Sequence, residues 1–435
     1  MNFQKKPIRT NSTKPTTSTP KVSSQKFFKD PTKIKYLTFG VGILALISLF
    51  FIFSILVKSL DFGSVIFSFG EKLQTDQNKK TNILLVGVGG EGHDGSNLTD
   101  TIIVASLDSQ TKKVKMFSLP RDLYIKDKKG SGGDRINKIY ESASSKYDST
   151  TKGMEELKNT VSEIVGLPIQ YTIKVDFNGF VKIVDSLGGV DVVVENDIYD
   201  THYPKGETIY FETFSIKAGP QTLDGETALK YARSRKTTSD FDRARRQQIL
   251  LSAIKEKAMN LQILTDPGKI QKLYSSVADS IQTDLSIQEI IELAKVGKDI
   301  KKEDIDSLVI NDNPSDCGGF LYTPNRDQFG GAAVLLPAGG DYSAINTFAQ
   351  NYFNGKLDLK NDKIQVLNGT KTPRLAEIGM NALNRNCLNV TYYGNAESRD
   401  LDKSTIYYNP DAEGNKPASL DSITELIKAP VVTGI

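Results

Sequence analysis

The chain has 435 residues, of which 38% are hydrophobic and 25% charged, so it can bury a sizeable core and is not expected to be disordered as a whole. Its formal net charge is only +3, which gives no reason to expect a nucleic-acid partner. With two histidines, most of the chain lacks the commonest general base. Cys317 and Cys387 are too few and too far apart to indicate a disulfide framework or a metal site, and they can pair only if the fold brings them together.

A membrane anchor is predicted near the N-terminus. Residues 36–57 are 22 consecutive residues without a charge, and about 20 are needed to cross a bilayer. A cleaved signal peptide would have a shorter apolar core followed by small residues, whereas Lys58 follows here, so we expect an uncleaved helix. Residues 1–35 carry nine Lys or Arg residues against one Asp and are rich in Ser, Thr and Pro, which predicts a disordered cytoplasmic tail. We therefore expect a single-pass plasma-membrane protein whose main domains lie outside.

The elements of the outer part follow a juxtamembrane stalk at residues 58–80. Asp176 is the expected N-cap of the third predicted helix, and Gly188 its C-terminal stop. Residues 311–340 are rich in Gly, Pro, Asn and Asp and predict loops. Strands mixed with helices indicate an α/β or α+β domain. The predicted strands are residues 82–88, 101–107, 114–119, 169–175 and 190–194, and the predicted helices are residues 136–146, 153–165 and 177–187, with a helix-rich stretch at 224–298.

A second, smaller α/β domain is predicted at residues 361–430. About 70 residues is a marginal but viable domain size. The pattern predicts a strand at 363–367, a helix at 373–385, short strands near Val390 and Ile406, and a last helix at 420–428.

Glycines at residues 87–92 match the spacing G-x-G-x-x-G directly after a strand. A dinucleotide site needs a helix to begin at these glycines, so that its N-terminus can hold the pyrophosphate. Another strand follows instead, which argues against that interpretation. The glycines are expected to form a tight loop near a ligand or a simple turn.

The densest chemical signal is a set of arginines at residues 231–248 (YARSR, then DFDRARRQQ). The apolar stripe of the second helix continues back onto Gln247, Arg246 and Arg243, while Arg245 faces the opposite side. An inward arginine is costly unless an anion meets it. The residues alone leave two hypotheses about equally supported: a phosphate or pyrophosphate site, and a structural ion-pair network with Asp240 and Asp242.

Carboxylates precede the second strand. Asp100 lies where the glycine-rich loop meets that strand, with Asp94 and Glu91 nearby. Carboxylates opposite arginines suggest Mg²⁺ bridging a bound pyrophosphate, and the alternative is an Asp that caps a turn. Arg121, in the Pro-Arg-Asp sequence after the third strand, is a second basic element, which alone would be a turn with a solvated arginine.

Taken together, these motifs resemble the LytR-CpsA-Psr family of cell-envelope proteins over residues 81–353, and the C-terminal domain resembles the family's LytR-type accessory domain. The single anchor with an outside domain is also the family's layout. The motifs are NILLVGV at 82–88, LTDT at 98–101, SLPRD at 118–122, RINK at 135–138, VDFNGF at 175–180, VDSLGGVDV at 184–192, LDGETALKYARSR at 223–235 and DFDRARRQQ at 240–248.

The resemblance implies an α/β catalytic domain at residues 81–355, with a mixed sheet flanked by helices. It implies a phosphotransferase that moves a glycopolymer from a polyprenyl-pyrophosphate carrier onto a peptidoglycan hydroxyl, with the lipid tail in an apolar cavity. Asp100 would hold Mg²⁺, with Glu91 or Asp94 in place of a second carboxylate. The pyrophosphate would be held by Arg121, Arg233, Arg235, Arg243, Arg246 and Gln247.

Departures from the family pattern bear on that expectation. Gly89 stands where the family usually has a second metal-binding Asp, and Leu98 where it usually has Arg. The candidates for the general base are Asp122 and Asp240, each of which can instead orient an arginine such as Arg121. The alternative function is a non-catalytic protein that binds polyprenyl phosphate or wall polymer. A transcriptional regulator is disfavoured, because the arginines would lie outside the cell and the tail lacks a recognition helix.

Overall fold

The computed structural model describes residues 72–93, 95–127, 132–204, 210–234, 240–357 and 362–434. The predicted tail and membrane helix lie outside the described residues, as do most of the stalk, Asp94, Arg235 and the side chain of Asp240. Within the described ranges, no helix is both long enough and apolar enough to cross a membrane.

The strands of the first domain include every strand predicted there. Nine further strands were not predicted, namely those at residues 124–126, 133–135, 198–204, 211–216, 219–223, 281–283, 305–309, 321–322 and 336–337. In chain order the strands of this domain are β1 (Lys80–Val88), β2 (Thr99–Asp108), β3 (Lys113–Ser118), β4 (Tyr124–Lys126), β5 (Gly133–Arg135), β6 (Tyr171–Asp176), β7 (Val190–Val194), β8 (Ile198–Pro204), β9 (Phe211–Ile216), β10 (Gly219–Leu223), β11 (Ile281–Thr283), β12 (Ile305–Val309), β13 (Leu321–Tyr322) and β14 (Leu336–Pro337).

The helix at Phe177–Ser186 has a recognisable cap at each end. Asp176 caps its start by accepting a hydrogen bond from the Gly179 amide at 2.8 Å, and Gly188 beyond its end has a φ of +73°, which confirms both predicted boundaries. The helices of the first domain are α1 (Ile139–Tyr147), α2 (Thr150–Val165), α3 (Phe177–Ser186), α4 (Gly225–Arg233), α5 (Asp240–Asn260), α6 (Pro267–Val277), α7 (Ile287–Gly297) and α8 (Ser343–Phe353), with 3-10 turns at Ile136–Lys138, Ala278–Ser280, Lys302–Asp304 and Arg326–Phe329.

A six-stranded mixed sheet in the order β11-β6-β1-β2-β3-β12 forms the centre of the first domain. β1 pairs antiparallel with β2 and parallel with β6, and β3 pairs parallel with β12. One face carries the side chains of Leu84, Val104 and Phe117, which pack with α2 and α8 in a buried core. The expected α/β fold with a mixed sheet flanked by helices is therefore correct.

A second core lies apart from that face. It joins α3, α4 and α5 to the two hairpin-like sheets formed by β7 with β10 and β8 with β9. β8 was not predicted because its sequence (IYDTHYP) is largely polar and buries only alternate positions. This core places α5 beside both β7 and β12, which fixes the helix that carries most of the arginines.

The C-terminal domain holds β15 (Ile364–Asn368), α9 (Leu375–Arg385), β16 (Val390–Asn395), β17 (Ile406–Tyr408), α10 (Leu420–Ile427) and β18 (Val431–Thr433). β15 pairs parallel with β16 under α9, so the predicted strand and helix are confirmed. The helix begins at Leu375 and not at Pro373, because Arg374 precedes it with a φ of +62°. A disulfide joins Cys317 of the first domain to Cys387 after α9.

Candidate active site

Strand pairing brings Asp100 and Arg121 together at one end of the sheet. Ile103 of β2 lies opposite Ser118 of β3, and continuing this antiparallel register by three residues places Asp100 opposite Arg121. The Arg121 Nη1 accordingly lies 2.6 Å from Asp100 Oδ1. The glycine-rich loop after β1 reaches the same end, since Gly87 pairs with Thr101.

A second carboxylate holds Arg121 from the other side. Asp122 Oδ2 lies 3.5 Å from Arg121 Nε, and Asp122 Oδ1 accepts a hydrogen bond from Arg135 Nη1 at 3.1 Å. Both Asp122 and Arg121 are largely buried, with side chains 14% and 16% exposed. The four side chains form a continuous row of alternating charge from Asp100 to Arg135, which fixes the orientation of the Arg121 guanidinium.

Helix α5 presents two buried arginines, as its sequence pattern predicts. Arg243 and Arg246 are each 6% exposed. Arg245 points the other way, since its side chain is 64% exposed and lies 2.9 Å from Glu195. The inward and outward faces of α5 therefore differ as its 3.6-residue period requires.

Arg246 is enclosed by groups from α4. Its Nη2 donates a hydrogen bond to the Ser234 carbonyl at 2.5 Å, and its guanidinium lies 5.5 Å from the Tyr231 ring centre. Burial lowers the pKa of Arg246, and the neighbouring Tyr231, Asp242 and Asp200 oppose that shift. The group still carries its charge at neutral pH, because the ordinary pKa of an arginine lies far above neutrality.

Arg233 ends α4 and joins the start of α3 to the second core. Its guanidinium lies 4.1 Å from the ring centre of Phe177 and donates a hydrogen bond from Nη1 to the Tyr203 hydroxyl at 3.2 Å. Stacking on an aromatic face leaves the edge of a guanidinium available for a planar anion. Arg233 directly precedes Ser234, whose carbonyl accepts the hydrogen bond from Arg246, so the two arginines belong to one arginine-rich region.

A small pocket of about 20 Å³ brings five of the sequence-predicted residues together. They are Asp100, Arg121, Asp122, Arg243 and Gln247, and they line it with the apolar residues at the ends of β2 and β3. Arg233 and Arg246 are not among its lining residues. Glu91 is exposed and does not line the pocket.

The fit to a metal ion depends on what else is bound. Among the described residues, no group of three or more His, Cys, Asp or Glu side chains is placed to hold a metal. A side chain at Gly89 would begin with a Cβ 2.9 Å from the Cβ of His93, so that position has no room for a carboxylate without a shift of the loop. Mg²⁺ is usually held by one or two carboxylates together with substrate phosphates. Asp100 fits such a site when phosphate oxygens supply the remaining ligands, and not by itself.

Two supporting residues were not singled out from the sequence. Gln248 is 3% exposed, and its Nε2 donates to Ser118 Oγ at 2.8 Å and to the Leu308 carbonyl at 3.1 Å. Asp200 is also 3% exposed and accepts a hydrogen bond from Ser234 Oγ at 2.9 Å. Gln248 directly follows Gln247 in the arginine motif, which was its only sequence signal, whereas β8 was not recognised as the strand that carries Asp200.

The fold and the site together define a class: an α/β protein whose central sheet ends at a cluster of buried guanidinium groups and two carboxylates, Asp100 and Asp122. Residues 64–331, more than half of the chain, match the LytR-CpsA-Psr family. The chain belongs to this family. Residues 362–432 match a second family, described as LytR cell envelope-related transcriptional attenuator.

Several curated proteins are similar to this chain. One is the polyisoprenyl-teichoic acid–peptidoglycan teichoic acid transferase TagV of Bacillus subtilis, 31% identical over 263 residues, which are 58% of this chain and 61% of TagV. The alignment thus spans less than two thirds of that relative's length. Another is the transferase TagU of Bacillus anthracis, 28% identical over 259 residues, which are 58% of this chain and 76% of TagU. The crystal structure of B. subtilis TagV is 24% identical, with a TM-score of 0.49, and the match covers 64% of this chain and 99% of that one.

Proposed function

We propose that this protein is a cell-envelope transferase that moves a glycopolymer from a polyprenyl-pyrophosphate carrier onto peptidoglycan. Its family membership and the transferase activity for which TagV and TagU are named support this class of reaction. The glycopolymer resembles teichoic acid in chemical class, because those relatives act on it.

The observation that carries the proposal is the burial of Arg243 and Arg246 on one face of α5, each 6% exposed. Removing a cation from water costs several kcal/mol even after relaxation. Binding of a pyrophosphate would offset that desolvation free energy, because its oxygens match the forked geometry of guanidinium groups. Arg243 shares the small pocket with Arg121 and Asp100, so an anion there would meet cations from two sides.

The proposed chemistry is a single displacement at phosphorus. The oxygen of a peptidoglycan hydroxyl attacks the phosphorus that bears the glycopolymer and forms the new phosphodiester. The bond from that phosphorus to the bridging oxygen breaks, and polyprenyl phosphate leaves with the electron pair. Arg121 and Arg243 would stabilise the charge that develops on the phosphate oxygens, while Gln247 would donate a hydrogen bond to them.

The hydroxyl proton requires a base, for which Asp122 and Asp240 are the candidates. Asp122 lies between Arg121 and Arg135, and each of its oxygens faces one of the two guanidinium groups. That position supports an orienting role for Asp122 toward Arg121 more directly than proton removal.

We propose Mg²⁺ as the cofactor, held by Asp100 together with phosphate oxygens of the bound carrier. When bound there, it would add positive charge at the oxygens on which charge develops. Asp100 is also the partner of Arg121, so the same carboxylate would keep the arginine in place.

We also propose that the protein is anchored in the plasma membrane by residues 36–57, with its domains outside. The Cys317–Cys387 disulfide supports an extracytoplasmic location, because such bonds are rare in a reducing cytosol. The lipid carrier would then reach the site from the same membrane.

The test is a transfer assay with the full-length protein in detergent, a polyprenyl-pyrophosphate-linked glycopolymer and peptidoglycan. Loss of one preorganised donor typically lowers the rate by about 10²- to 10³-fold. We therefore expect Arg243→Ala and Arg246→Ala each to form the phosphodiester product at least about 100-fold more slowly than the parent. Arg374→Ala is the control, since that side chain is 77% exposed and pairs with Glu377. Unchanged transfer in both α5 variants would overturn the proposal.

A second candidate is a protein that holds the lipid carrier without turnover. Gly89, with no room for the usual second carboxylate, favours it. In that case the parent protein would bind the carrier and form no phosphodiester in the same assay.

A further inference from the structure

A cleft of about 1370 Å³ lies between the first domain and the C-terminal domain. One wall is formed by β7, β10 and α5, another by β12 and the loop after it, and the last by the segment between α9 and β16. Sites for small ligands usually measure about 300–1000 Å³. The cleft is therefore large enough for several linked sugar rings, and nothing in the proposed reaction so far uses it.

The wall from the C-terminal domain is held firmly in place. The Cys317–Cys387 disulfide lies in the cleft lining itself. Beside it, Ser315 Oγ donates a hydrogen bond to Asn381 Oδ1 at 2.7 Å, and the Gly318 amide donates to the Arg385 carbonyl at 2.9 Å. A covalent bond and two hydrogen bonds thus fix the two walls against each other, which reduces the entropy that a ligand must overcome to order them.

The cleft lies next to the candidate active site, across one helix. Phe241, Arg245 and Ser252 of α5 line the cleft, whereas Arg243 and Gln247 of the same helix line the small pocket with Asp100. A helix with its side chains is about 10 Å across. A polymer in the cleft would therefore lie within a few sugar lengths of the phosphate site.

The charges in the cleft argue against an anionic polymer. Its lining has five acidic and three basic side chains, so it carries no positive excess. Two of the three cations already have carboxylate partners: Arg245 lies 2.9 Å from Glu195, and Lys257 lies 3.2 Å from Asp191. A polyphosphate or teichoic acid chain would meet more negative than positive charge there, so it is disfavoured.

The neutral groups in the cleft suit a sugar chain. Ten amide or hydroxyl side chains line it. Among them, Asn260 and Asn389 make no side-chain hydrogen bond within the described part of the chain, although both line the cleft. Amide groups donate and accept at once, which matches the paired hydroxyl and acetamido groups of an amino sugar.

We propose that this cleft binds the uncharged amino-sugar backbone of the acceptor glycan, so that a hydroxyl further along the same glycan chain reaches the phosphate site on the other side of α5. This inference rests on the proposed function, which supplies the acceptor glycan, and it adds the place where that glycan binds. The C-terminal domain then has a defined role: it supplies one wall of the acceptor site.

The probe is the uncharged tetramer of β-1,4-linked N-acetylglucosamine, titrated into the full-length protein in detergent by calorimetry. We expect saturable binding to the parent and about tenfold weaker binding to the Asn260→Ala/Asn389→Ala variant, because two hydrogen bonds to the sugar chain are lost. Asn395→Ala is the matched control, an exposed amide of the same domain outside the cleft, and it should bind like the parent. In the transfer assay, the double variant should raise the KM for peptidoglycan and not the KM for the lipid-linked donor.

The outcomes separate this inference from the proposed function. Asp100→Ala should abolish transfer and keep tetramer binding, since Asp100 lines the other pocket. Tetramer binding without any transfer would support the cleft and count against the transferase. No binding by the parent at millimolar tetramer, or equal binding by the double variant, would overturn the cleft assignment even if transfer is observed. Competition by poly(glycerol phosphate) as strong as that by unlabelled tetramer would overturn the preference for an uncharged chain.

Discussion

Arg243 and Arg246 bring two positive charges into the interior of the first domain, where each side chain is 6% exposed. Burial alone lowers the pKa of Arg246, and Asp200 and Asp242 offset part of that effect. Burial of a cation costs free energy, and strongly perturbed charged groups cluster at functional sites. Asp100 and Arg121, joined at 2.6 Å, complete the polar end of the sheet.

The role of Asp100 can be tested by Asp100→Asn, which keeps the shape and removes the charge. We expect transfer to fall at least about tenfold and its Mg²⁺ dependence to shift to higher concentration, because one ligand and the partner of Arg121 are weakened together. The measurement is a Mg²⁺ titration of transfer. Glu91→Gln is the control, an exposed carboxylate outside the pocket. If Glu91→Gln impairs the Mg²⁺ response and Asp100→Asn does not, Asp100 is not the metal ligand and Mg²⁺ binds at the glycine-rich loop.

At the scale of elements, α5 connects the site to the central sheet. Gln248 ties the helix to β3 through Ser118 and to β12 through the Leu308 carbonyl. These two hydrogen bonds fix the position of α5 along the strands, and therefore where Arg243 and Gln247 lie relative to the strand ends. The position of the arginines therefore depends on a buried amide that lies outside the small pocket.

Gln248→Ala should destabilise the protein by about 2 kcal/mol, because two hydrogen bonds are lost and the Leu308 carbonyl is left buried. It should also lower transfer by shifting α5. Denaturant unfolding checks the first effect, with Arg245→Ala as control on the same helix, since an exposed ion pair contributes about 0–1 kcal/mol. Equal stability of Gln248→Ala and Arg245→Ala would show that Gln248 does not anchor the helix.

Packing of α7 on β6 gives a prediction in alkaline solution. Burial, assisted by a hydrogen bond to Glu289, raises the pKa of Tyr171 to about 12 from its ordinary value of 10.0. The folded state then keeps a proton that the unfolded state loses, so this contribution to stability is complete below pH 10 and disappears as the pH rises toward 12. A difference titration of tyrosinate absorbance between the parent and Tyr171→Phe should give a midpoint near pH 12. A midpoint near 10 would contradict the buried contact.

Sequence patterns predicted elements that have either a continuous apolar run or a regular helical stripe. NILLVGV formed β1, and the α5 stripe predicted which arginines turn inward. β8 and β12 were missed, because short strands with polar residues owe their structure to distant partners. Gln248 and Asp200 were missed for the same reason: their importance comes from contacts to residues more than 30 positions away.

At the scale of the whole molecule, the C-terminal domain is joined to the first domain by more than the chain between them. The Cys317–Cys387 disulfide closes a loop with a sequence separation of 70. The sequence left this pairing open, since the two cysteines become neighbours only when α9 packs beside the loop after β12. The two domains therefore present one continuous surface around the cleft.

Removal of the disulfide should destabilise the protein. For a loop of this length, the chain-entropy relation gives about 4 kcal/mol, so we expect Cys317→Ser/Cys387→Ser to unfold at clearly lower guanidinium concentration than the parent. The same result should follow when the parent is reduced before unfolding. If reduction has no effect on the parent, the bond is not formed in the purified protein.

The central claim, that the buried arginines hold a polyprenyl-linked pyrophosphate, is tested most directly by mass spectrometry of lipid that co-purifies with the full-length protein in detergent. The parent and Arg245→Ala, which alters only the exposed face of α5, should carry polyprenyl phosphate or pyrophosphate, and Arg243→Ala/Arg246→Ala should carry neither. The same lipid at equal amounts in the double variant would contradict the claim.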